Sequence, residues 1–189
     1  MMPPFFHKDV SDRGVVDAYA YVMDRVADAR LRLVLYHIPQ VSGVALSQGA
    51  IATLLERYPQ TIVALKDSGC DIGASLEFAT AFMPRIGVHV GNEADLPALA
   101  RRGSAGAVSG IANFLPGLVQ GLVAGREGKE LETVKKVIAL ATSYPLTAAM
   151  KGIMAIESGD EGWLRVRPPL VALGAADFAE LRKKWGGFR

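Results

Sequence analysis

The stretch Thr61-Ile62-Val63-Ala64-Leu65-Lys66-Asp67-Ser68-Gly69 decides how the rest of the chain is read. Its β-branched and aliphatic body predicts a parallel strand covered on both faces. The run then stops on a lysine and enters a turn. An ammonium at the end of a buried strand is costly, because burial disfavours the charged form. A lysine that gives up its proton is the nucleophile that builds a Schiff base on a ketone. Taken alone, this segment favours the plainer reading of Lys66, a strand-end lysine reaching solvent. A second strand, Leu31-Arg32-Leu33-Val34-Leu35-Tyr36, ends in the same manner on a phenol. That recurrence favours the chemical reading.

Strand and helix patterns alternate outward from this point. A helix with apolar positions Val15, Val16, Tyr19, Val22, Met23 and Val26 precedes the Tyr36 strand, which spans 31–37. A turn containing Pro39 and Gly43 follows it. Ser47 is a suitable N-cap for the next helix, which carries Ile51, Leu54 and Leu55. Beyond the lysine come a helix over 71–83 ended by Pro84, a short strand Gly87-Val88-His89-Val90 and a short helix over 93–102. A small-residue strand from Ala105 to Ser109 is the last. The remainder is helical in pattern: 114–125, then 130–142 with Leu131, Val134, Val137, Ile138 and Ala141 on one stripe, then 145–157, and a final segment from Ala175.

This alternation predicts an α/β fold on a parallel sheet. A strand–helix unit recurs about every 20 to 30 residues, the spacing of a (β/α)8 barrel. A doubly wound open sheet is the alternative, and it calls for a phosphate loop or a dinucleotide fingerprint. Gly103, Gly106 and Gly110 have the wrong spacing for the fingerprint, and Gly128-Lys129 is followed by Glu130 where a phosphate loop needs Ser or Thr. We expect residues 1–125 to form a partial barrel and 126–189 a helical extension packed on the same domain.

Composition narrows the function classes. Half of the 189 residues are hydrophobic and 21% are charged, the balance of a folded globular chain. A net charge of +2 gives no support for nucleic-acid binding, and Arg182-Lys183-Lys184-Trp185 fits the wet side of a last helix. The single cysteine, Cys70, excludes an internal disulfide and is expected to be a small buried residue. No apolar run is long enough to span a membrane, and the start has no signal-peptide layout. The cytosol is the expected location. His7, His37 and His89 lack metal-ligand spacing, so neither metal nor cofactor is expected.

In a (β/α) barrel, catalytic side chains sit at the C-terminal ends of strands. Alternation puts Lys66 on a face with Ala64 and Ile62, and Tyr36 on one with Val34 and Arg32. If both faces look toward the barrel axis, an amine and a phenol converge. The amine attacks a ketone and the hydroxyl relays protons as the carbinolamine dehydrates. The third strand ends in Gly91-Asn92-Glu93, where bare backbone lets a ligand approach and two polar groups follow. Asn92 with Asp95 equally suits a helix cap.

Together these residues resemble the dihydrodipicolinate synthase and N-acetylneuraminate lyase family of class I, Schiff-base aldolases. Tyr36-His37-Ile38-Pro39 is similar to its Tyr-Asn-x-Pro motif, and Lys66-Asp67-Ser68-Gly69 to its lysine segment. Gly91-Asn92-Glu93 is similar to its Gly-Asp-Asp or Gly-x-Asp-Glu turn, and Gly106 to Asn113 to its Gly-x-Ile-Ser-x-x-Ala-Asn strand. Ala149-Met150-Lys151 and Arg165-Val166-Arg167-Pro168-Pro169-Leu170 stand where the family has C-terminal helical landmarks. The resemblance covers essentially the whole chain. It implies a TIM-barrel lyase in which Lys66 forms an imine with pyruvate or another 2-oxo acid and Tyr36 shuttles protons. It also implies that the backbone at Val108 borders the keto acid, that Ser68, Gly91, Asn92 and Glu93 meet the rest of the substrate, and that an aldehyde is a further substrate. A homo-oligomer, commonly a tetramer, is implied as well.

Three departures shape the expectation. The family's Asn after the tyrosine is His37 here, and by alternation it points away from Tyr36. Val41 replaces the arginine that dihydrodipicolinate synthases carry two residues after the motif's proline, which removes a bidentate partner for a carboxylate-bearing aldehyde. Sugar-acid (2-keto-3-deoxy acid) aldolases or dehydratases fit better. Third, the family's first half, with its Gly-Thr-Thr-Gly-Glu-type carboxylate loop and a second tyrosine, has no counterpart. Pro3-Pro4-Phe5-Phe6 matches the end of the fourth strand, so Met1 is expected to be an internal methionine and the chain to hold about strands 5–8. Two readings stand: a Schiff-base lyase, or a truncated and catalytically inactive homologue.

Overall fold

The computed structural model describes residues 1–188. It divides into two compact units, Met1–Val108 and a second from Ser109 onward. The helix that follows Ser109 packs with the helices after it.

The first unit is built as α1 (Asp12–Val26), β1 (Leu33–His37), α2 (Pro39–Ser42), α3 (Gln48–Arg57), β2 (Ile62–Asp67), α4 (Ile72–Phe82), β3 (Gly87–Val90), α5 (Leu96–Ala100) and β4 (Gly106–Ala107). Side chains that accept orphan backbone N–H groups set the helix starts. Ser11 Oγ accepts from Gly14, Ser47 Oγ from Ala50, and Asp71 Oδ1 from both Gly73 and Ala74. The segment after Pro39, expected as a turn, closes into a single helical turn ended by Gly43 at φ 67°.

All four strands are parallel, in the order β1-β2-β3-β4. Among the described residues of this unit, the helices pack against one side. Tyr19, Leu35, Ile51, Leu54, Leu55, Ile62, Leu65, Phe78 and Val88 form a continuous core between that side and the helices. The other side is partly bare, with Val34 37% and Val63 39% exposed. The expectation that β2 is covered on both faces is therefore corrected: within this unit it is covered on one.

A slip in register corrects a second expectation. Leu33 pairs with Ile62 and Val34 with Ala64, so Val63 has no partner on β1. Such a bulge breaks strict alternation. Ile62 joins the helix-side core with Leu65, while Ala64 shares the open face with Lys66. β4 is shorter than the predicted Ala105–Ser109, although Ala105 N–H to Val88 and Val108 N–H to Val90 extend its pairing at both flanks. Along the outer edge of β1, the Met1 ammonium donates to Val34 O at 2.6 Å and Tyr36 N–H donates to Met1 O at 2.9 Å. Pro3, which has no N–H, cannot continue that ladder.

The second unit contains α6 (Pro116–Val123), α7 (Lys129–Thr142), α8 (Leu146–Ser158) and α9 (Ala175–Gly186), each packed on the next. A Cβ at Gly152 would lie 2.8 Å from Leu181 Cδ2, so the glycine lets α8 and α9 approach. Trp185 is buried there, stacked on Phe188 and edge-on to Phe114, with its indole N–H donating to Glu157. Among the described residues no single helix is long and apolar enough to cross a membrane.

Candidate active site at the strand ends

Tyr36 and Lys66 are direct Cα partners across β1 and β2, one residue before each strand ends. Paired residues on neighbouring parallel strands project from the same face. This face is the open one, and both side chains are half-buried on it. Lys66 Nζ lies 4.1 Å from the centre of the Tyr36 ring, so the amine meets the face of the phenol ring. On the other side of Lys66 its register partner is His89, whose own partner on β4 is Gly106. One row across the sheet thus reads Tyr36, Lys66, His89, Gly106. His89 Nδ1 is buried without a hydrogen-bond partner.

The turn after Lys66 is tied down on both flanks. Ser68 N–H donates to His37 O at 2.8 Å, and Gly91 N–H to Asp67 O at 2.7 Å. Asp67 faces the helices, accepting from Gly69 N–H through Oδ1 at 2.9 Å and from Ser75 Oγ through Oδ2 at 2.5 Å. Ser68 is buried with its Oγ against Gly91: a Cβ at Gly91 would stand 1.9 Å from that oxygen and 3.1 Å from Asp67 O. Gly91 therefore serves as the notch that receives the lysine loop.

Asn92 Nδ2 donates to Asp95 Oδ2 at 2.7 Å, and the Asn92 side chain makes no capping bond to backbone. Burial raises the pKa of Asp95 above its ordinary value, an effect that the Asn92 bond opposes and nearby Asp67 and Asp71 reinforce. Glu93 is buried at the start of a 3-10 turn, and Val108, just past β4, has an exposed side chain and its N–H on Val90 O. The predicted site residues thus lie along one end of one sheet. Tyr36 and Lys66 touch, Ser68 and Gly91 pack together, and Asn92, Glu93 and Val108 line the continuation.

His37 points away from Tyr36, as alternation predicts. It is buried on the helix side, with Nδ1 accepting Leu46 N–H at 3.0 Å and its ring edge-on to Phe78. Cys70 departs from expectation: it is exposed, at φ 58°, because the loop swings outward between Gly69 and Asp71. Two residues at this site had no sequence signal attached. His89 comes to the site through its register with Lys66, which only the neighbouring strand reveals. Gln40, an ordinary turn residue, donates Nε2 to Ser68 O at 2.6 Å. Among the described residues no group of three or more His, Cys, Asp or Glu side chains is placed to hold a metal.

The chain matches the model of a known family, the dihydrodipicolinate synthetase family, over residues 1–181. The chain belongs to that family. A DapA-like lyase of Chloroflexus aurantiacus is 28% identical over 192 residues, covering 96% of this chain and 62% of the relative. The crystal structure of dihydrodipicolinate synthase from Agrobacterium tumefaciens superposes with a TM-score of 0.92 at 26% identity, over 99% of this chain and 64% of that one. A variant of Sulfolobus solfataricus 2-keto-3-deoxygluconate aldolase shares the fold, with a TM-score of 0.83 at 18% identity over 100% of this chain and 63% of that one. The chain therefore spans a little under two thirds of the length of these relatives in the dihydrodipicolinate synthetase family. Its parallel strands and covering helices are part of the family's TIM-barrel fold.

Proposed function

We propose that this chain carries the imine-forming part of a class I lyase that acts on pyruvate or a related 2-oxo acid. One observation carries the reading: Lys66 and Tyr36 are register partners at the ends of adjacent strands, with Nζ 4.1 Å from the phenol ring. The Lys66 amine attacks the ketone carbon, forming the C–N bond as the Tyr36 hydroxyl gives its proton to the carbonyl oxygen. The Tyr36 phenolate then takes a proton from the nitrogen, and the restored hydroxyl gives that proton to the leaving hydroxyl while taking the second one from nitrogen. Water departs and the imine remains, ready for cleavage or formation of the neighbouring carbon–carbon bond. Ser68, Gly91, Asn92 and Glu93 border the variable part of the substrate and the Val108 backbone borders the keto acid. Val41 offers no partner for a second carboxylate, and Glu93 and Asp95 make the site's flank acidic, which favours a neutral polyhydroxylated aldehyde, hence a 2-keto-3-deoxy sugar acid. A cytosolic homo-oligomer without a cofactor goes with this reading.

The test is borohydride reduction in the presence of pyruvate, followed by peptide mass mapping. A single stable adduct on Lys66 is expected, with Lys66→Met abolishing it and Tyr36→Phe slowing its appearance by about 100-fold or more. Labelling spread over surface lysines, with Lys66 untouched, sinks the mechanism. A second reading has its own support: the bare side of the sheet around Val34 and Val63 favours a chain that is inactive by itself. It predicts no adduct on any lysine from the chain alone.

A further inference from the structure

We propose that Gln40 is a positioning residue for the lysine site, holding the loop after Lys66 to the strand that carries Tyr36. The inference rests on Lys66 being the imine-forming amine. Three backbone groups of that loop are already engaged, at Asp67 O, Ser68 N–H and Gly69 N–H, with backbone or buried partners. The Ser68 carbonyl is different. It accepts from the amide of Gln40, 28 residues away in sequence and otherwise exposed, at 2.6 Å, and from the Cys70 thiol of its own loop at the longer distance of 3.5 Å.

A surface glutamine that folds inward onto one carbonyl gives up side-chain freedom and buries little apolar area in exchange. The core beneath is complete without it. What the bond does is local: it spans the two turns that follow the Tyr36 and Lys66 strands. Gln40 has a firm base for this, because α2 is closed by Gly43 N–H to Pro39 O at 2.7 Å and by Ser42 Oγ to Val44 O at 2.7 Å. Lys8 adds a bond to Ser42 O at 2.8 Å. The Ser68 peptide is thereby gripped from both sides, by His37 O and by Gln40 Nε2, two residues beyond the nucleophile. A loop held this way fixes the direction in which the lysine stem leaves β2, and orientation of the attacking group governs rate more than affinity.

Gln40→Glu keeps the shape and exchanges the donor for acceptors, and Gln40→Lys restores a donor. Amide hydrogen exchange over 66–71 is expected to rise about tenfold in Gln40→Glu, with α1 and α3 and the thermal midpoint unchanged, and to return toward wild type in Gln40→Lys. Borohydride trapping of pyruvate on Lys66 is expected to slow about tenfold at saturating pyruvate, with the half-saturating concentration little changed. Unchanged exchange in Gln40→Glu overturns the clamp. Faster exchange with undiminished trapping overturns the positioning role. Absence of trapping in the wild type instead strikes the imine reading of the previous section, and exchange alone then decides whether Gln40 holds the loop.

Discussion

His37 shows how one residue next to the site serves the fold. Burial lowers its pKa below the ordinary imidazole value, and the nearby Asp67 carboxylate pulls the other way. Its Nδ1 is committed to Leu46 N–H, so protonating that nitrogen breaks a buried bond. Between the folded and unfolded values the unfolded chain binds a proton that the folded chain refuses, so stability rises with pH in that window. The contribution is complete above about pH 6.5 and is lost as the pH falls below it. His37→Asn keeps an acceptor for Leu46 without a titrating group. Thermal midpoints at pH 7.5 and pH 5.5 are expected to drop further for wild type than for the variant, and equal drops refute the assignment. The outward direction of His37 was legible from alternation with Tyr36. The exposure of Cys70 was not, because nothing in a cysteine's identity announces a left-handed backbone.

At the scale of elements, Gly91 joins β3 to the lysine loop. Gly91→Ala places a methyl inside the space held by Ser68 Oγ and close to Asp67 O. Because one of those neighbours is backbone, the loop must shift. The expected cost is about 1–3 kcal/mol in chemical denaturation, together with loss of Lys66 trapping. A variant with wild-type stability and full trapping would show that Ser68 simply rotates away. Much at this scale was open to sequence reading. The span of β3, the Ser47 cap and the stop of α4 before Pro84 follow from local chemistry that tertiary packing did not override. The bulge at Val63 was not open to it. A β-branched residue inside an apolar run looks the same whether paired or skipped, and only the neighbouring strand decides. Gln40 was hidden for a related reason, since its partner lies 28 positions away and is a backbone atom.

For the first unit as a whole, the helix-covered side forms an ordinary core and the other side does not. Val34 shares that side with the half-buried Tyr36 by alternation, and Val63 is exposed at the bulge. Apolar surface of this kind attracts hydrophobic partners and dyes. Val34→Thr with Val63→Thr is expected to lower the fluorescence of a bound hydrophobic dye at least twofold while moving the thermal midpoint by only a few degrees, as for exposed positions. Unchanged dye fluorescence would place the sticky surface elsewhere. The skipped residue on β2 has a genetic consequence as well. Deleting the Val63 codon takes out a residue that β1 never used, restores an uninterrupted ladder and leaves Lys66 projecting where it does now. Deleting the Leu35 codon has no such slack to draw on and turns Tyr36 toward the helices. In a library of single-codon deletions, survivors should cluster at Val63 and be missing from the strand that bears Tyr36.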